Sequence, residues 1–163
     1  KDPVYTAVAV FVTANARKIT ISTAQACFDR IIYCDTDSIH LVETDVPDEI
    51  KEIVHPKKLG YWKHESTFTR GRFLRAKTYI EEMEISKSDY DEMKEKDKND
   101  MRYYISHNKY YMLNVKCAGM PDEVKKIITW DNFHYGFKNE NKLKFKSVQN
   151  GVILEKTEFT IKA

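Results

Sequence analysis

The stretch from Tyr33 to Ser38 constrains this chain most, because it holds two carboxylates two residues apart between two apolar runs. Residues 31–32 and 39–42 predict the ends of two strands, so the stretch predicts the tip of a β-hairpin. On an extended chain, Asp35 and Asp37 would point to the same side with Cα atoms about 6–7 Å apart. Two such carboxylates can share hard divalent cations, with phosphates and waters as the other ligands.

Two plainer explanations of this stretch exist. Asp and Ser are common in turns because they bond to their own backbone, so an isolated Asp-x-Asp is more often a turn than a metal site. A calcium-binding loop fits less well, because Ile39 stands where the next oxygen ligand is needed and no glycine follows. The residues alone leave the metal site and the plain turn open.

Five segments in the same order along the chain resemble one family. Residues 33–38 resemble the metal-binding hairpin motif in the palm of family B DNA polymerases. Residues 57–65 and 74–80 resemble the protein-primed members of that family from small tailed bacteriophages. Residues 115–120 and 159–162 match the same subgroup, so the resemblance covers nearly the whole chain.

The resemblance implies an α+β fold with two parts. Residues 1–117 would form the C-terminal part of the palm, an antiparallel sheet with packed helices that carries the catalytic β-hairpin. Residues 118–163 would form a small β-rich thumb that holds the duplex. Because Lys1 is not an initiator methionine, we expect a fragment of a longer chain.

Local patterns give the expected elements. Asp2 as N-cap and Pro3 at the first helical position predict the start of a long, largely buried helix that ends near Ala26. Gly71 predicts a bend, and the charged residues 86–100 predict an exposed segment without regular structure. The remaining expected elements are short helices over 45–54 and 121–128, strands over 61–68, 73–83, 101–105 and 110–115, and a hairpin turning at Asn150-Gly151.

The resemblance assigns the catalytic and metal-binding roles to Asp35 and Asp37, with Asp37 as the direct and indispensable ligand. The implied cofactor is Mg²⁺, with two ions in the complete enzyme and Mn²⁺ as a possible substitute. In such a site one ion lowers the pKa of the primer 3′-hydroxyl and the other neutralises the triphosphate.

Basic residues predict contacts with DNA. Residues 55–80 carry 7 Lys or Arg against 1 Glu and are interleaved with aromatic residues, which fits a phosphate-backbone footprint as well as an ordinary basic surface. The resemblance implies that Lys77 and Tyr79, on one face of a strand, meet the primer terminus. It also implies DNA contacts for Thr13 and Arg17, one helical turn apart, and for four thumb lysines: Lys116, Lys125, Lys142 and Lys144.

The implied function is template-directed, protein-primed DNA synthesis. Its partners would be primer-template DNA, dNTPs, a terminal (priming) protein and the remainder of the polymerase chain, in the cytoplasm of a bacterial host. No apolar run is long enough to span a membrane. A further palm Asp and the fingers that grip the nucleotide are missing from these residues, so we expect the fragment alone to be inactive.

Two alternatives remain at this stage. A prophage remnant with the same fold would bind DNA without catalysis. An unrelated metal-binding or structural α+β domain would bind calcium tightly and have no affinity for DNA.

Overall fold

The first helix is long and mostly exposed. The computed structural model of the protein describes residues 6–163, apart from the side chains of residues 141 and 142. Helix α1, Thr6–Ala26, confirms the predicted helix, although Asp2 and Pro3 lie outside the described residues. The expectation that it is largely buried is wrong: of its described residues only Thr23 is buried, and Phe11 is 69% exposed. The elements in its own unit are too short to cover it.

The predicted hairpin follows this helix. Strands β1, Ile31–Asp35, and β2, Ser38–Leu41, pair antiparallel in a two-stranded sheet of their own. A short 3-10 helix, Asp48–Ile53, confirms the helix expected over residues 45–54. The described residues up to Ser66 form one compact unit, called here the first unit.

The strand expected over residues 61–68 is absent from the described structure. Trp62 makes a single parallel bridge with Val54, and the rest of the segment is irregular. The indole of Trp62 donates a hydrogen bond to Thr23 Oγ1 at 2.9 Å. The ring of Trp62 therefore contacts the helix, while the rings of Tyr61 and Phe68 pack on His55 and Phe73.

The second unit, Thr67–Ala163, is built on an antiparallel four-stranded sheet. Its strands lie in the order β3-β4-β6-β5, and they are β3, Arg70–Arg75, β4, Thr78–Ile85, β5, Tyr103–Ser106, and β6, Lys109–Cys117. Strands β5 and β6 confirm two predicted strands. The single strand expected over 73–83 is wrong, because Arg75 pairs with Thr78 and the chain reverses between them.

Gly71 lies inside β3 and does not bend the chain as expected. A Cβ atom at this position would meet the ring of Phe73 at 2.6 Å and that of Phe68 at 3.3 Å. The two rings also pack edge to face, with centroids 6.3 Å apart. A side chain at this position would therefore force the ring of Phe73 to shift.

The charged segment expected to lack regular structure contains helix α2, Lys87–Lys96. Ser86 caps it by accepting a hydrogen bond from the backbone N–H of Asp89 at 3.1 Å. Pairs of opposite charge four residues apart support its surface, such as Lys87 with Asp91 at 3.1 Å. Tyr90 and Met93 are half-buried and Tyr90 packs on Tyr110, but two apolar residues are too few to show an apolar period in the sequence, so the expectation failed. No described helix is long and apolar enough to cross a membrane.

The core of the second unit joins the sheet to the residues that follow it. Helix α3, Asp122–Lys125, confirms the short helix expected there. Strands β7, Lys138–Val148, and β8, Gly151–Thr160, form the ribbon expected near the C-terminal end. The buried core consists of Ile80, Leu113, Val115, Cys117, Met120, Val124, Ile128, Phe133, Phe159 and Ile161. The α+β class is therefore confirmed, and the division after residue 117 stays a prediction.

A buried carboxylate ties three strands of the sheet together. Glu82, on β4, accepts hydrogen bonds from Thr69 Oγ1 at 2.9 Å, from Arg70 Nε and Nη2 at 2.8 and 2.6 Å, and from the Tyr104 hydroxyl. Burial raises the pKa of Glu82, but the hydrogen bonds from Arg70, Tyr104 and Thr69 bring it below its ordinary 4.5. Burial and the bond to Glu82 raise the pKa of Tyr104 to about 12. The network favours ionised Glu82 and neutral Tyr104.

We predict that Glu82→Gln lowers the free energy of unfolding of the second unit by about 2 kcal/mol at pH 7. Because the folded-state pKa of Glu82 is depressed, its stabilisation is present above pH 4.5 and is lost as the pH falls through the folded-state pKa. The difference between the proteins should therefore shrink in acid. Urea unfolding followed by the amide NMR signals of β4 and β6 measures both effects.

Glu84→Gln is the matched control. Glu84 is half-exposed and pairs with Lys109 on the surface, with Oε2 and Nζ 2.7 Å apart. Its loss should change the free energy of unfolding by less than about 1 kcal/mol. Equal effects of the two substitutions would show that the Glu82 network does not stabilise the sheet.

Candidate metal hairpin and nucleic-acid interface

The two candidate metal ligands lie at a tight turn. Asp35 pairs with Ser38 across the hairpin, which leaves Thr36 and Asp37 as the two turn residues. Thr36 adopts a left-handed conformation with φ of 45°. The geometry expected from an extended chain is therefore wrong, because the backbone turns between the two Asp residues. Both nevertheless lie at the hairpin tip, Asp35 half-buried and Asp37 exposed.

Neighbouring groups orient the carboxylate of Asp35. Its Oδ1 accepts from the Thr36 hydroxyl at 3.0 Å, and its Oδ2 lies 3.4 Å from the Tyr33 hydroxyl. Its carbonyl oxygen accepts from Ser38 Oγ at 3.1 Å and from the Asp37 N–H at 2.5 Å. These bonds fix Asp35, while Asp37 extends from the same turn into solvent.

A contact from helix α1 holds the turn from the other side. The hydroxyl of Thr20 lies 3.1 Å from the carbonyl oxygen of Thr36 and 3.3 Å from that of Ala16. Sequence reasoning missed Thr20, although its spacing from Thr13 and Arg17 places all three on one helix face. Thr20 is the residue of this face that contacts the hairpin turn.

The chemistry of the two carboxylates fits a divalent ion. Carboxylate oxygens are hard donors, and one or two of them suffice for Mg²⁺ when phosphates and waters complete the shell. Among the described residues no group of three or more His, Cys, Asp or Glu side chains could hold a metal. The pair can therefore supply only part of a coordination shell.

Lys77 lies in a turn and not on a strand. It connects β3 to β4 with a φ of 57°, so the prediction that it shares a strand face with Tyr79 is wrong. The backbone N–H of Ala118, just after β6, donates to the carbonyl oxygen of Lys77 at 3.0 Å. The preceding residue in β6, Cys117, packs its thiol against the buried hydroxyl of Thr78. The end of β6 thus holds the turn that carries Lys77.

Tyr79 and Lys116 lie beside this turn. They are direct partners across β4 and β6, so their side chains share one face of the sheet. The ring of Tyr79 stacks on that of Phe73, with centroids 5.2 Å apart. Lys77, Tyr79 and Lys116 therefore lie together at one end of the sheet, called here the basic sheet end. Arg75, which was not among the predicted site residues, is exposed next to the turn.

The other predicted DNA contacts are spread over both units. Thr13 and Arg17 are exposed on α1, where the Thr13 hydroxyl bonds to its own helix at Val10 O, 2.9 Å away. Lys125 pairs with Asp122 at 2.7 Å. Lys144 lies opposite Glu155 on the ribbon. The side chain of Lys142 lies outside the described part of the structure.

The ribbon has two different faces. Cross-strand partners share a face, so Phe145 and Leu154 lie on one side with Leu143 and Val152. These four side chains are exposed. Lys144 and Lys146 occupy alternate positions and face the other way.

Comparison with known proteins shows that this chain is similar to the DNA polymerases of Bacillus phages. It is 53% identical over 162 residues to the DNA polymerase of Bacillus phage PZA, and 52% identical over 164 residues to that of Bacillus phage phi29. The DNA polymerase of Streptococcus phage Cp-1 is 35% identical over 161 residues. Each alignment covers 99% of this chain but only 27%, 27% and 24% of the relatives, respectively. No family model matches the chain.

Solved structures show the same similarity. Phi29 DNA polymerase complexed with primer-template DNA and incoming nucleotide superposes with a TM-score of 0.80 and 51% identity, over 99% of this chain and 26% of that one. The complex of the same polymerase with single-stranded DNA gives a TM-score of 0.78 and 48% identity, covering 99% of this chain and 27% of the other. The chain thus spans about a quarter of the length of the proteins that it matches.

We predict that Thr36→Asn raises the free energy of unfolding of the first unit by about 0.5–1 kcal/mol, since a β-branched residue in the left-handed region is strained. Asn adopts this region readily. The amide NMR signals of β1 and β2 during urea unfolding measure the change.

Thr44→Asn is the control, because Thr44 is exposed in the same unit and has no positive φ. It should leave stability unchanged. A loss of stability in Thr36→Asn would mean that the hydroxyl bond to Asp35 outweighs the backbone strain.

Proposed function

We propose, from the premise that this chain is a homologue of the phi29-type DNA polymerases over nearly its whole length, that it provides metal-binding and primer-holding surfaces for template-directed DNA synthesis. The observation that carries the proposal is the Asp35-Thr36-Asp37 turn. It presents two carboxylates at the tip of a hairpin, in a chain that has 52% sequence identity to the phi29 enzyme over the aligned residues. Such a pair suits nucleotidyl transfer assisted by divalent ions.

The two carboxylates have different roles in this proposal. Asp37 is exposed at the tip, so we assign it as the direct and indispensable ligand. Asp35 is oriented by Tyr33 and Thr36, so we assign it as the second, more constrained ligand. Bound Mg²⁺ or Mn²⁺ would supply Lewis-acid activation of a primer 3′-hydroxyl and charge neutralisation of a dNTP.

The basic sheet end would hold the primer strand. Lys77 supplies a charge for a phosphate from an exposed position in the turn. Tyr79 offers an aromatic side chain backed by Phe73, on the same sheet face as Lys116. Phosphate contacts of this kind fix the position of DNA without reading its sequence.

The finer assignments rest on the sequence resemblance and on the relatives. We propose a family B, protein-primed enzyme that uses a terminal protein and works in the cytoplasm of a bacterial host. Thr13 and Arg17 would contact DNA from α1. Lys125, Lys142 and Lys144 would do so from a thumb formed by residues 118–163.

A chimera tests the catalytic role. This chain should replace the corresponding C-terminal segment of phi29 DNA polymerase, with which it shares 52% identity. We predict primer extension that requires Mg²⁺ and falls by about 1,000-fold or more in Asp37→Asn, because this substitution removes a metal ligand. Asp45→Asn removes another exposed carboxylate of the first unit and should leave extension unchanged.

Two outcomes would contradict the proposal. Extension that survives Asp37→Asn would mean that the hairpin is only a structural turn. A chimera that binds primer-template DNA but extends nothing would favour a non-catalytic DNA-binding remnant.

We also predict that the chain itself binds primer-template DNA in a salt-dependent manner. Lys77→Ala or Lys116→Ala should each reduce the slope of log K against log salt by about 0.9, because each lysine neutralises one phosphate. Fluorescence anisotropy over a series of salt concentrations measures the slope. Lys87→Ala, on α2, removes a lysine paired with Asp91 and should leave the slope unchanged.

A further inference from the structure

The metal hairpin depends on one unusual backbone conformation. Thr36, between Asp35 and Asp37, has a φ of 45°, and its side chain is β-branched. Branched residues avoid the left-handed region because Cβ crowds the following carbonyl oxygen. Such a residue persists only where surrounding contacts hold it.

Thr20 supplies such a contact from outside the hairpin. Its hydroxyl donates to the carbonyl oxygen of Thr36 at 3.1 Å. The bond joins residues sixteen positions apart, so it links the helix to the turn. The 3.3 Å contact with Ala16 O is a bond within the helix that the same hydroxyl can make when the turn moves away.

The helix segment that carries Thr20 is itself fixed. One turn later, the buried Thr23 donates its hydroxyl to Ile19 O at 2.9 Å and accepts from the Trp62 indole at 2.9 Å. Cys27 is fully buried near the end of the same helix. Thr20 is thus held at a defined place relative to the residues that anchor α1 in its unit.

We infer that Thr20 is a positioning residue for the metal site, which holds Thr36 left-handed and so sets the placement of Asp35 and Asp37. This inference rests on the proposed function, because it concerns the ligands assigned there. It adds a group on α1 that touches neither metal nor substrate. Without the bond, Thr36 can leave the left-handed region, and the backbone change would alter the relative placement of the Asp35 and Asp37 side chains on either side of it.

Two substitutions separate the hydroxyl from the rest of the side chain. Thr20→Val keeps the shape and removes the donor, whereas Thr20→Ser keeps the donor. We expect the dissociation constant for Mn²⁺ to rise about tenfold in Thr20→Val, as for other groups that orient ligands indirectly, and to stay near that of the unchanged protein in Thr20→Ser. Ser22→Ala changes an exposed hydroxyl on the same helix and should have no effect.

Paramagnetic relaxation in NMR provides the measurement on the 163-residue chain. Titration with Mn²⁺ should broaden the amide signals of residues 35–38 first, and the concentration dependence gives the affinity. Signals of β1 and β2 away from the tip show whether each variant folds. The Thr36 amide shift reports directly whether the left-handed turn is kept.

The outcomes separate this inference from the proposed function. If Mn²⁺ does not broaden residues 35–38 in the unchanged chain, the metal assignment itself fails. If it does, and a folded Thr20→Val protein binds Mn²⁺ equally well, the positioning role is overturned. If Thr20→Ser weakens binding as much as Thr20→Val, the effect is one of packing and the inference also fails.

Discussion

Two tight turns with strained backbones carry the proposed functional groups of this chain. Hydrogen bonds from neighbouring elements hold both turns in place. Thr36 and Lys77 both have positive φ, although neither is glycine. Each turn is held through its carbonyl oxygen by a donor from a neighbouring element: the Thr20 hydroxyl for one and the Ala118 N–H for the other. Strained residues held by their surroundings are typical of functional sites, and both turns carry proposed ligands or phosphate contacts.

The rigidity behind the second turn comes from the sheet. The Glu82 network joins β3, β4 and β5. The side chain of Arg72 bonds to the carbonyl oxygens of Trp130 and Phe133 at 2.8 and 2.9 Å. The residues after β6 therefore pack on the sheet as part of one core. This core keeps the basic sheet end rigid. A phosphate-binding surface must be rigid if it is to fix the register of DNA.

The elements predicted correctly are those with strong local signals. The apolar residues on each side of Asp35 and Asp37 are enough to predict a hairpin. Helix α1 was predicted because it is long, Thr6–Ala26, and its sequence pattern extends over several turns. Local signals do not specify Lys77 as a turn residue, because no Gly or Asn marks the reversal. Helix α2 was missed because Tyr90 and Met93 are its only apolar residues, too few to show a period among the charged residues around them. Thr20 was missed because its partner is sixteen residues away and no spacing rule connects them.

Anomalous diffraction from crystals of the chain soaked in Mn²⁺ would test the central claim most directly. We predict an anomalous peak at the hairpin tip, within about 2.2 Å of a carboxylate oxygen of Asp37 and within reach of Asp35, with Thr36 left-handed. A peak elsewhere on the protein, or a tip in which Thr36 has a negative φ and the two carboxylates diverge, would contradict the account.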